Sequence, residues 1–235
     1  MAMRLMLLVG AIGATILGLT GCGYVSAGPT ATEDRTISGD PSAVLLEGSG
    51  TLMVQPGDPA LTITAGENTL ERISSTTSSE ELRLAVDGGF LNSPGPIDYA
   101  LTVAQLDAVT IDGSGEVTAS SVPAESLTVR IEGSGDVLIT DVDADQVSVV
   151  IEGSGAVRLR GHAEEVQVHI DGAGEFHGED LIARTGVASI DGAGDITIHA
   201  SQTLEASISG AGSIRHSGGA DVTEEIDGAG EVRPS

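Results

Sequence analysis

The sequence contains no lysine and no tryptophan, and its basic residues are few. Ten arginines stand against 35 acidic residues, which gives a formal net charge of −25 at pH 7. Because nucleic-acid binding needs Lys and Arg side chains to neutralise phosphates, this balance argues against a nucleic acid as partner. Docking on anionic lipid headgroups by charge alone is disfavoured for the same reason. The acidic surface would attract cations, or it reflects only the genome composition or a salty habitat of the host.

Aromatic residues make up only 2% of the chain, although 40% of its residues are hydrophobic. The core must therefore be built from Val, Ile, Leu and Ala, and the β-branched members of that set favour strands. The single cysteine, Cys22, excludes an intramolecular disulfide. Glycine, with 33 residues, has about twice its usual share, and many of these glycines belong to one recurring motif.

The first 21 residues have the layout of a signal peptide. Arg4 supplies a positive charge, residues 5–19 form an uncharged apolar run, and Leu19-Thr20-Gly21-Cys22 follows. This resembles the bacterial lipoprotein signal, which implies cleavage before Cys22, a diacylglyceryl group on its thiol and a further acyl chain such as palmitate on its amine. Two or three acyl chains anchor a protein stably. The alternatives are an ordinary cleaved signal peptide and an uncleaved membrane helix, for which the run is short.

Residues 22–34 are predicted to be the lipidated cysteine and a flexible tether, because they are small, polar and interrupted by proline. The predicted location is extracytoplasmic, with the chain anchored to the cell membrane through its lipid. Gly23 directly follows the cysteine and lacks the acidic character of a retention signal. In a host with two membranes we therefore expect the outer membrane.

A short motif recurs through the second half of the chain: Ile, usually an acid, Gly, Ser or Ala, Gly, usually an acid, and an apolar residue. Successive copies are 18–20 residues apart, and an early copy spans residues 46–52. The regular copies begin at Ile111, Ile131, Ile151, Ile170, Ile190, Ile208 and Ile226. Repeats at such a spacing are typical of solenoids, in which each unit packs only on its neighbours.

Apolar and polar residues alternate ahead of each isoleucine. Leu127, Val129 and Ile131 share one side of the predicted strand, and Thr128 and Arg130 share the other. Rungs stacked about 4.8 Å apart would bury continuous columns of aliphatic side chains. The sequence therefore predicts an all-β fold, a right-handed parallel β-helix (β-solenoid) with rungs of about 18–20 residues. An antiparallel sandwich and a disordered Gly-rich chain are the alternatives, but neither explains regular corners together with strict alternation.

The glycines predict a sharp corner at the same point of every rung, where a positive φ or the lack of a Cβ is needed. The residue between them is only Ser or Ala, which predicts a crowded corner. In the less regular N-terminal part, strands are expected near residues 43–46, 52–54, 60–65 and 82–86, and a loop over 88–96 interrupts the stack. Glu224 stands where the alternation requires a core residue, so the last rung is predicted to be an exposed cap.

Three further stretches carry a resemblance to a known family. Residues 35–39 (Arg-Thr-Ile-Ser-Gly) lead into the first glycine motif, residues 61–64 precede Gly66-Glu67-Asn68, and residues 99–103 lead into the Ile-Asp-Gly-Ser-Gly rungs. With the repeat, they make residues 35–235 similar to the "putative auto-transporter adhesin, head GIN domain" family of bacterial envelope proteins. The resemblance implies a right-handed β-helix and carries over no catalytic residues. The shorter last rungs depart mildly from the family pattern.

The acids that follow the isoleucines are predicted to form a column on adjacent rungs, which we call the acid ladder: Asp112, Glu132, Glu152, Asp171 and Asp191. Like charges at this spacing repel by roughly 1 kcal/mol in water, and one hypothesis is that a divalent cation such as calcium relieves the repulsion. The alternative is that the carboxylates are solvated or accept N–H groups from the glycine turns. The nine-residue calcium-binding β-roll motif is not matched. No firm metal site and no other cofactor is predicted.

No residue set amounts to an active site, so no catalytic residue is predicted. The favoured function is binding or adhesion at the cell surface through a solenoid face, with an envelope polysaccharide or a surface protein as partner. One alternative is a polysaccharide lyase or hydrolase, for which outward basic partners and aromatic residues are scarce. The other is a passive structural lipoprotein of the envelope. The five histidines show no ligand spacing and are interpreted as solvated surface residues.

Overall fold

The computed structural model describes residues 28–87, 95–120 and 123–235. The predicted signal peptide and the predicted lipid attachment site, Cys22, lie outside these residues, as does most of the predicted loop over 88–96. Within the described ranges, no helix is long and apolar enough to cross a membrane.

The described chain consists of seventeen strands and one short helix. The less regular part contains β1 (Thr30–Arg35), β2 (Ala43–Gly48), β3 (Thr51–Pro56), β4 (Ala60–Gly66), α1 (Glu67–Leu70), β5 (Ile73–Ser78), β6 (Glu81–Val86) and β7 (Asp98–Val103). The repeats contain β8 (Ala108–Gly113), β9 (Glu116–Ser120), β10 (Ser126–Gly133), β11 (Asp136–Gly153), β12 (Ala156–Gly172), β13 (Glu175–Gly192), β14 (Asp195–Gly210), β15 (Ser213–Ser217), β16 (Asp221–Gly228) and β17 (Glu231–Pro234).

Two faces of stacked parallel strands meet at the glycine motif. The first face runs through β6, β2, β8, β10, the C-terminal halves of β11–β14, and β16. The second face runs through β7, β3, β9, the N-terminal parts of β11–β14, β15 and β17. The repeat isoleucines stand opposite one another, as Ile131, Ile151 and Ile170 do. The predicted right-handed β-solenoid and its rung length are confirmed.

The predicted alternation places the aliphatic residues inside the stack. Val129, Val149 and Val168 occupy one inward column and are at most 2% exposed, whereas Thr128 on the same strand as Val129 is exposed. The aromatic side chains Tyr99 and Phe176 are also buried, and burial raises the pKa of the Tyr99 hydroxyl to about 12. The core is therefore a continuous aliphatic interior, built from several inward columns, that also contains two aromatic rings.

The glycine corner needs both of its glycines, each for a different reason. The first glycine of each motif has a positive φ, for example +132° at Gly153. The second has no room for a side chain, since a Cβ on Gly135 would lie 2.7 Å from Cγ2 of Ile111. The predicted crowded corner is confirmed at the two glycines. The Ser or Ala between them does not contribute to the crowding, because it is solvent-exposed, as Ser154 is.

Hydrogen bonds continue the ladder through the corner. The Ser154 N–H donates to the carbonyl of Gly133, and the Ala173 N–H donates to the carbonyl of Gly153, both at 2.8 Å. These N–H groups are thus taken by the preceding rung. These two N–H groups are therefore not free to bind the carboxylates of the acid ladder.

The first rungs do not stack in chain order. All four predicted N-terminal strands exist, as β2, β3, β4 and β6. However, β2 lies between β6 and β8, and β3 lies between β7 and β9. The rung formed by β6 and β7 therefore comes first in the stack, although it follows β2 and β3 in the chain. Beyond that rung the pairing becomes antiparallel, with β5 against β6, β4 against β7 and β1 against β4. The sequence patterns did not indicate α1 or β5. The fold is a parallel solenoid with an antiparallel N-terminal end.

The predicted tether is shorter than expected. Residues 30–34, assigned to the tether by sequence, belong to β1, which pairs with β4 from Thr30 opposite Gly66 to Arg35 opposite Leu61. The Thr32 and Thr64 hydroxyls share a hydrogen bond of 2.9 Å across this pair. The prediction of a flexible tether is therefore wrong for residues 30–34, because pairing with an available edge strand orders a polar segment.

Candidate functional site

A third, shorter face closes the rungs between the second face and the first. The middle segments of β11–β14 pair in parallel here, and the register shifts beside them, as between Ile139 and Val142. Such irregularities are β-bulges, which bend a strand. They let each long strand turn from the second face onto the third while the ladder resumes after the bend.

One alanine of each rung lies at the centre of the third face. These residues, which stand opposite one another on successive rungs, are Ala144, Ala163, Ala183 and Ala200. All four are buried, with at most 9% of the residue surface exposed. Because a methyl group fills little space, the backbone of this column lies close to the interior. The residues before and after each alanine in β11, β12 and β13 are exposed on either side of the column.

This arrangement forms an open concavity of about 440 Å³, which we call the trough. Its floor includes Ala144, Ala163 and Ala183. The chemistry of its borders changes from one rung to the next. The border residues are Asp143 and Asp145 on β11, His162 and Glu164 on β12, and Ile182 and Arg184 on β13. Ile182 is 42% exposed, although the other isoleucine of β13, Ile190, is completely buried. Single exposed aliphatic side chains are common on protein surfaces, but Ile182 lies at the border of a concavity and among charged groups.

One ion pair spans two rungs at the border of the trough. Arg184 donates to Oε2 of Glu164 at 2.6 Å, and also to the side-chain amide oxygen of Gln202. Both charged side chains are more than half exposed, so the pair contributes little to stability. The trough thus offers acids, a base, the Ser201 hydroxyl and one aliphatic group, a combination suited to non-covalent recognition of an extended chain.

The acid ladder is in register as predicted. Its five residues stand opposite one another on adjacent strands of the first face and are all exposed. The structure extends the ladder by one residue, because Glu47 of β2 stands opposite Asp112. At the other end Ser209 stands opposite Asp191 and interrupts the series before Asp227.

Arginines already neutralise part of this ladder. Arg130 donates to Oε1 of Glu132 at 2.9 Å and also to Glu152 on the next rung. The hydrogen bond to Glu132, together with the charge of Glu152, raises the pKa of Arg130. Arg83 pairs with Glu47 at 2.8 Å. In the part of the chain that the structure describes, no group of three or more His, Cys, Asp or Glu side chains is placed to hold a metal ion.

The histidines occupy different environments. His162 and His199 stand on either side of Ile182 in the strand register of the third face. His199 is half-buried, and its Nδ1 lies 3.1 Å from the Ser217 hydroxyl. His177 lies 3.1 Å from Oε2 of Glu175. Interpretation as solvated residues therefore fits the exposed His162 better than His199.

Sequence reasoning missed the trough, although a signal for it exists. The segment Asp143-Ala144-Asp145 reads as a polar turn, but it recurs as His162-Ala163-Glu164 and Ile182-Ala183-Arg184. The alanine keeps its place in each rung while its neighbours change. A small residue at the same place in every rung, between exposed residues that differ from rung to rung, indicates that the backbone follows the same path while the surface chemistry changes.

The fold and the trough define a class of protein: a β-solenoid domain that presents a concave recognition surface along its stacked rungs. The family model described as "Putative auto-transporter adhesin, head GIN domain" matches residues 40–220. The chain belongs to this family, which confirms the resemblance drawn from the sequence. The family description names a "putative auto-transporter adhesin" and not an enzyme, and it suggests an extracellular or surface location.

Solved structures of bacterial proteins share the fold across nearly their whole length. A "putative adhesin" from Bacteroides fragilis NCTC 9343 is 23% identical, with a TM-score of 0.78, covering 88% of this chain and 97% of that one. A "putative lipid binding protein" from Parabacteroides distasonis ATCC 8503 is 23% identical, with a TM-score of 0.71 and the same coverage. A "putative adhesin" from the same strain is 21% identical, with a TM-score of 0.69, covering 88% and 98%. No curated protein matches the chain.

Proposed function

We propose that this chain is a lipid-anchored protein of the cell envelope that binds a partner at the outer surface through the trough. The trough is the observation that carries the proposal, because it combines an exposed aliphatic side chain with charges of both signs in a concave surface. Membership of an adhesin family supports a binding role. The lipoprotein-like sequence that ends at Cys22 supports the anchor.

The chemistry of the trough favours an extended segment of a surface protein over an envelope polysaccharide. A sugar ring would need an exposed aromatic ring to stack on, but the two aromatic residues of the described ranges, Tyr99 and Phe176, are each only 1% exposed. A polypeptide strand, by contrast, offers aliphatic and charged side chains that match Ile182, Arg184 and Asp143. A polysaccharide partner, a polysaccharide-cleaving enzyme and a passive structural role are the alternatives that the experiment separates.

Anchoring at Cys22 would set the orientation of the solenoid. Only residues 23–29 separate Cys22 from β1, and eight peptide steps span at most about 28 Å. The antiparallel N-terminal end would therefore lie near the bilayer. The first face and the antiparallel strand β5 beside it together contain ten stacked strands from β5 to β16. The nine steps between these strands place the C-terminal end about 43 Å further out.

The anchor is tested by fractionating cells that produce the Cys22→Ser variant. We expect this variant to leave the membrane fraction or to remain there as the uncut precursor, because it has no thiol to acylate. Wild-type protein should be cut and membrane-bound, and metabolic labelling with a palmitate analogue should mark only the wild type. A variant that is processed and retained like wild type would contradict the anchor.

Binding is tested by retention of the purified chain on immobilised envelope material from its host. We expect Ile182→Asp to weaken retention at least about tenfold, since a charge replaces the aliphatic contact. The matched control is Met53→Asp, because Met53 is 50% exposed on the second face, away from the trough. Protease treatment of the envelope material should abolish retention if the partner is a protein.

Each alternative gives a different result. Retention that survives proteolysis but not glycan digestion would make the partner a polysaccharide, and release of soluble sugars would indicate an enzyme. No retention of the wild-type chain on any fraction would favour the passive structural role. Equal loss of retention in both variants would contradict the trough as the binding surface.

A further inference from the structure

The C-terminal end of the solenoid is an open edge. Among the described strands, β16 pairs only with β14 and β17 pairs only with β15. Their backbone N–H and C=O groups on the other side therefore have no partner among the described strands. Such an edge is a template for pairing with another chain, and a second copy of this chain carries an edge of the same length.

The inward columns of the stack reach this edge almost unbroken. Leu204 stands opposite Val222, and Ile208 stands opposite Ile226. Ile208 is 2% exposed, whereas Ile226 in the last rung is 42% exposed. The end of the solenoid thus presents aliphatic side chains that another rung would cover.

A third inward column lies between these two columns, and its last residue is charged. It runs inward through Val129, Val149, Val168, Ala188 and Ala206, all at most 3% exposed, and finishes at Glu224. Glu224 is exposed, and no described rung lies beyond it to cover this position. A second copy stacked on this end would enclose the carboxylate among aliphatic side chains, where an unpaired charge is strongly unfavourable.

The opposite end of the solenoid is covered in a different way. There the core is closed by antiparallel strands and by α1, whose Leu70 is buried. Closed stacking at the C-terminal edge is tip to tip between two copies, which a two-fold axis would relate and in which the two β16 strands would run antiparallel. When this pairing is centred on Glu224, the two Glu224 carboxylates face each other.

We infer that Glu224 keeps the C-terminal ends of two copies apart, so that the outer tip stays a single exposed rung. The other tip residues act in the same direction. Asp221, Glu225, Asp227 and Glu231 give the last rung a negative rim, with Arg233 as its one basic residue. Pro234, at the end of β17, removes one backbone donor from the edge.

The test is sedimentation velocity of the full-length chain in detergent over a wide concentration range. The Glu224→Val variant restores the residue that this column has at Val129, Val149 and Val168. We expect its sedimentation coefficient to rise with concentration toward that of a dimer, while the wild-type value stays constant. Glu225→Val, with the same change of charge on the outward side of the same strand, should behave like wild type.

A second substitution locates the contact. Adding Val222→Asp to Glu224→Val places a new charge in the neighbouring inward column and should return the chain to a monomer. Glu224→Ala, which copies Ala206, gives an independent variant with a smaller side chain. The inference is overturned if wild type itself dimerises, if Glu224→Val stays monomeric, if Glu225→Val associates equally, or if Val222→Asp does not reverse the association.

Discussion

The sharpest prediction concerns Gly153, the first glycine of a central corner. Its φ of +132° lies in a region that L-residues with a side chain rarely adopt. A Cβ at this position would overlap the carbonyl oxygen of Gly133 on the rung before and lie 3.0 Å from its carbonyl carbon. That oxygen already accepts the Ser154 N–H. Gly153→Ala therefore strains its own backbone and displaces a ladder hydrogen bond.

The magnitude follows from two independent costs. Holding alanine in a glycine-only region of φ and ψ costs about 1–3 kcal/mol, and forcing a methyl group against packed backbone costs about 1–3 kcal/mol more. Gly133 has rungs on both sides, so it has little freedom to move away. We expect Gly153→Ala to lower the free energy of unfolding by about 2–6 kcal/mol.

The assay is urea denaturation of wild type and variants, followed by circular dichroism of the strands. The control is Gly57→Ala, because a Cβ on Gly57 would make only an ordinary contact of 3.5 Å with Thr102 and its φ is not positive. We expect this control to lie within about 0.5 kcal/mol of wild type. If Gly153→Ala unfolds at the same urea concentration as Gly57→Ala, the account of the corner is refuted.

Two further predictions concern the core and the acid ladder. Val149 lies in an inward column and is 1% exposed, so Val149→Asp should destabilise the chain by several kcal/mol. Thr128→Asp, on the outer side, should have a mild effect. Equal shifts in the denaturation midpoint would mean that the rung register is wrong. Millimolar calcium should not raise the melting temperature beyond sodium chloride of matched ionic strength, because the carboxylates are exposed and Arg130 already bridges two of them. Extra stabilisation by calcium would restore the cation hypothesis for Asp112, Glu132, Glu152, Asp171 and Asp191.

The regular half of the molecule could be predicted from the sequence alone. The isoleucine spacing gave the rung length, and the alternation around Val129 gave its inward residues, because in-register stacking repeats one local pattern at every rung. The same logic placed the five acids in one ladder and Glu224 on an exposed last rung. Each of these features depends on contacts between a residue and its equivalent one rung away, so periodicity contains the information.

The irregular half was decided only by tertiary structure. The rung order that places β6 and β7 beyond β2 and β3, and the antiparallel pairing of β1 with β4, depend on a choice among several available strand edges. No local pattern distinguishes those edges. The burial of Tyr99 and the ordering of residues 30–34 are consequences of that choice.

The trough and the bridging role of Arg130 also required the folded chain. A polar triplet such as Asp143-Ala144-Asp145 becomes part of a concave surface only when bulges turn the third face and stack its alanines. Arg130 joins Glu132 and Glu152 because neighbouring rungs bring residues 22 positions apart within hydrogen-bonding distance. The sequence determined the repeat because stacking is periodic. Only the tertiary structure decided the surface, because its shape depends on where the strands bend and which edges they find.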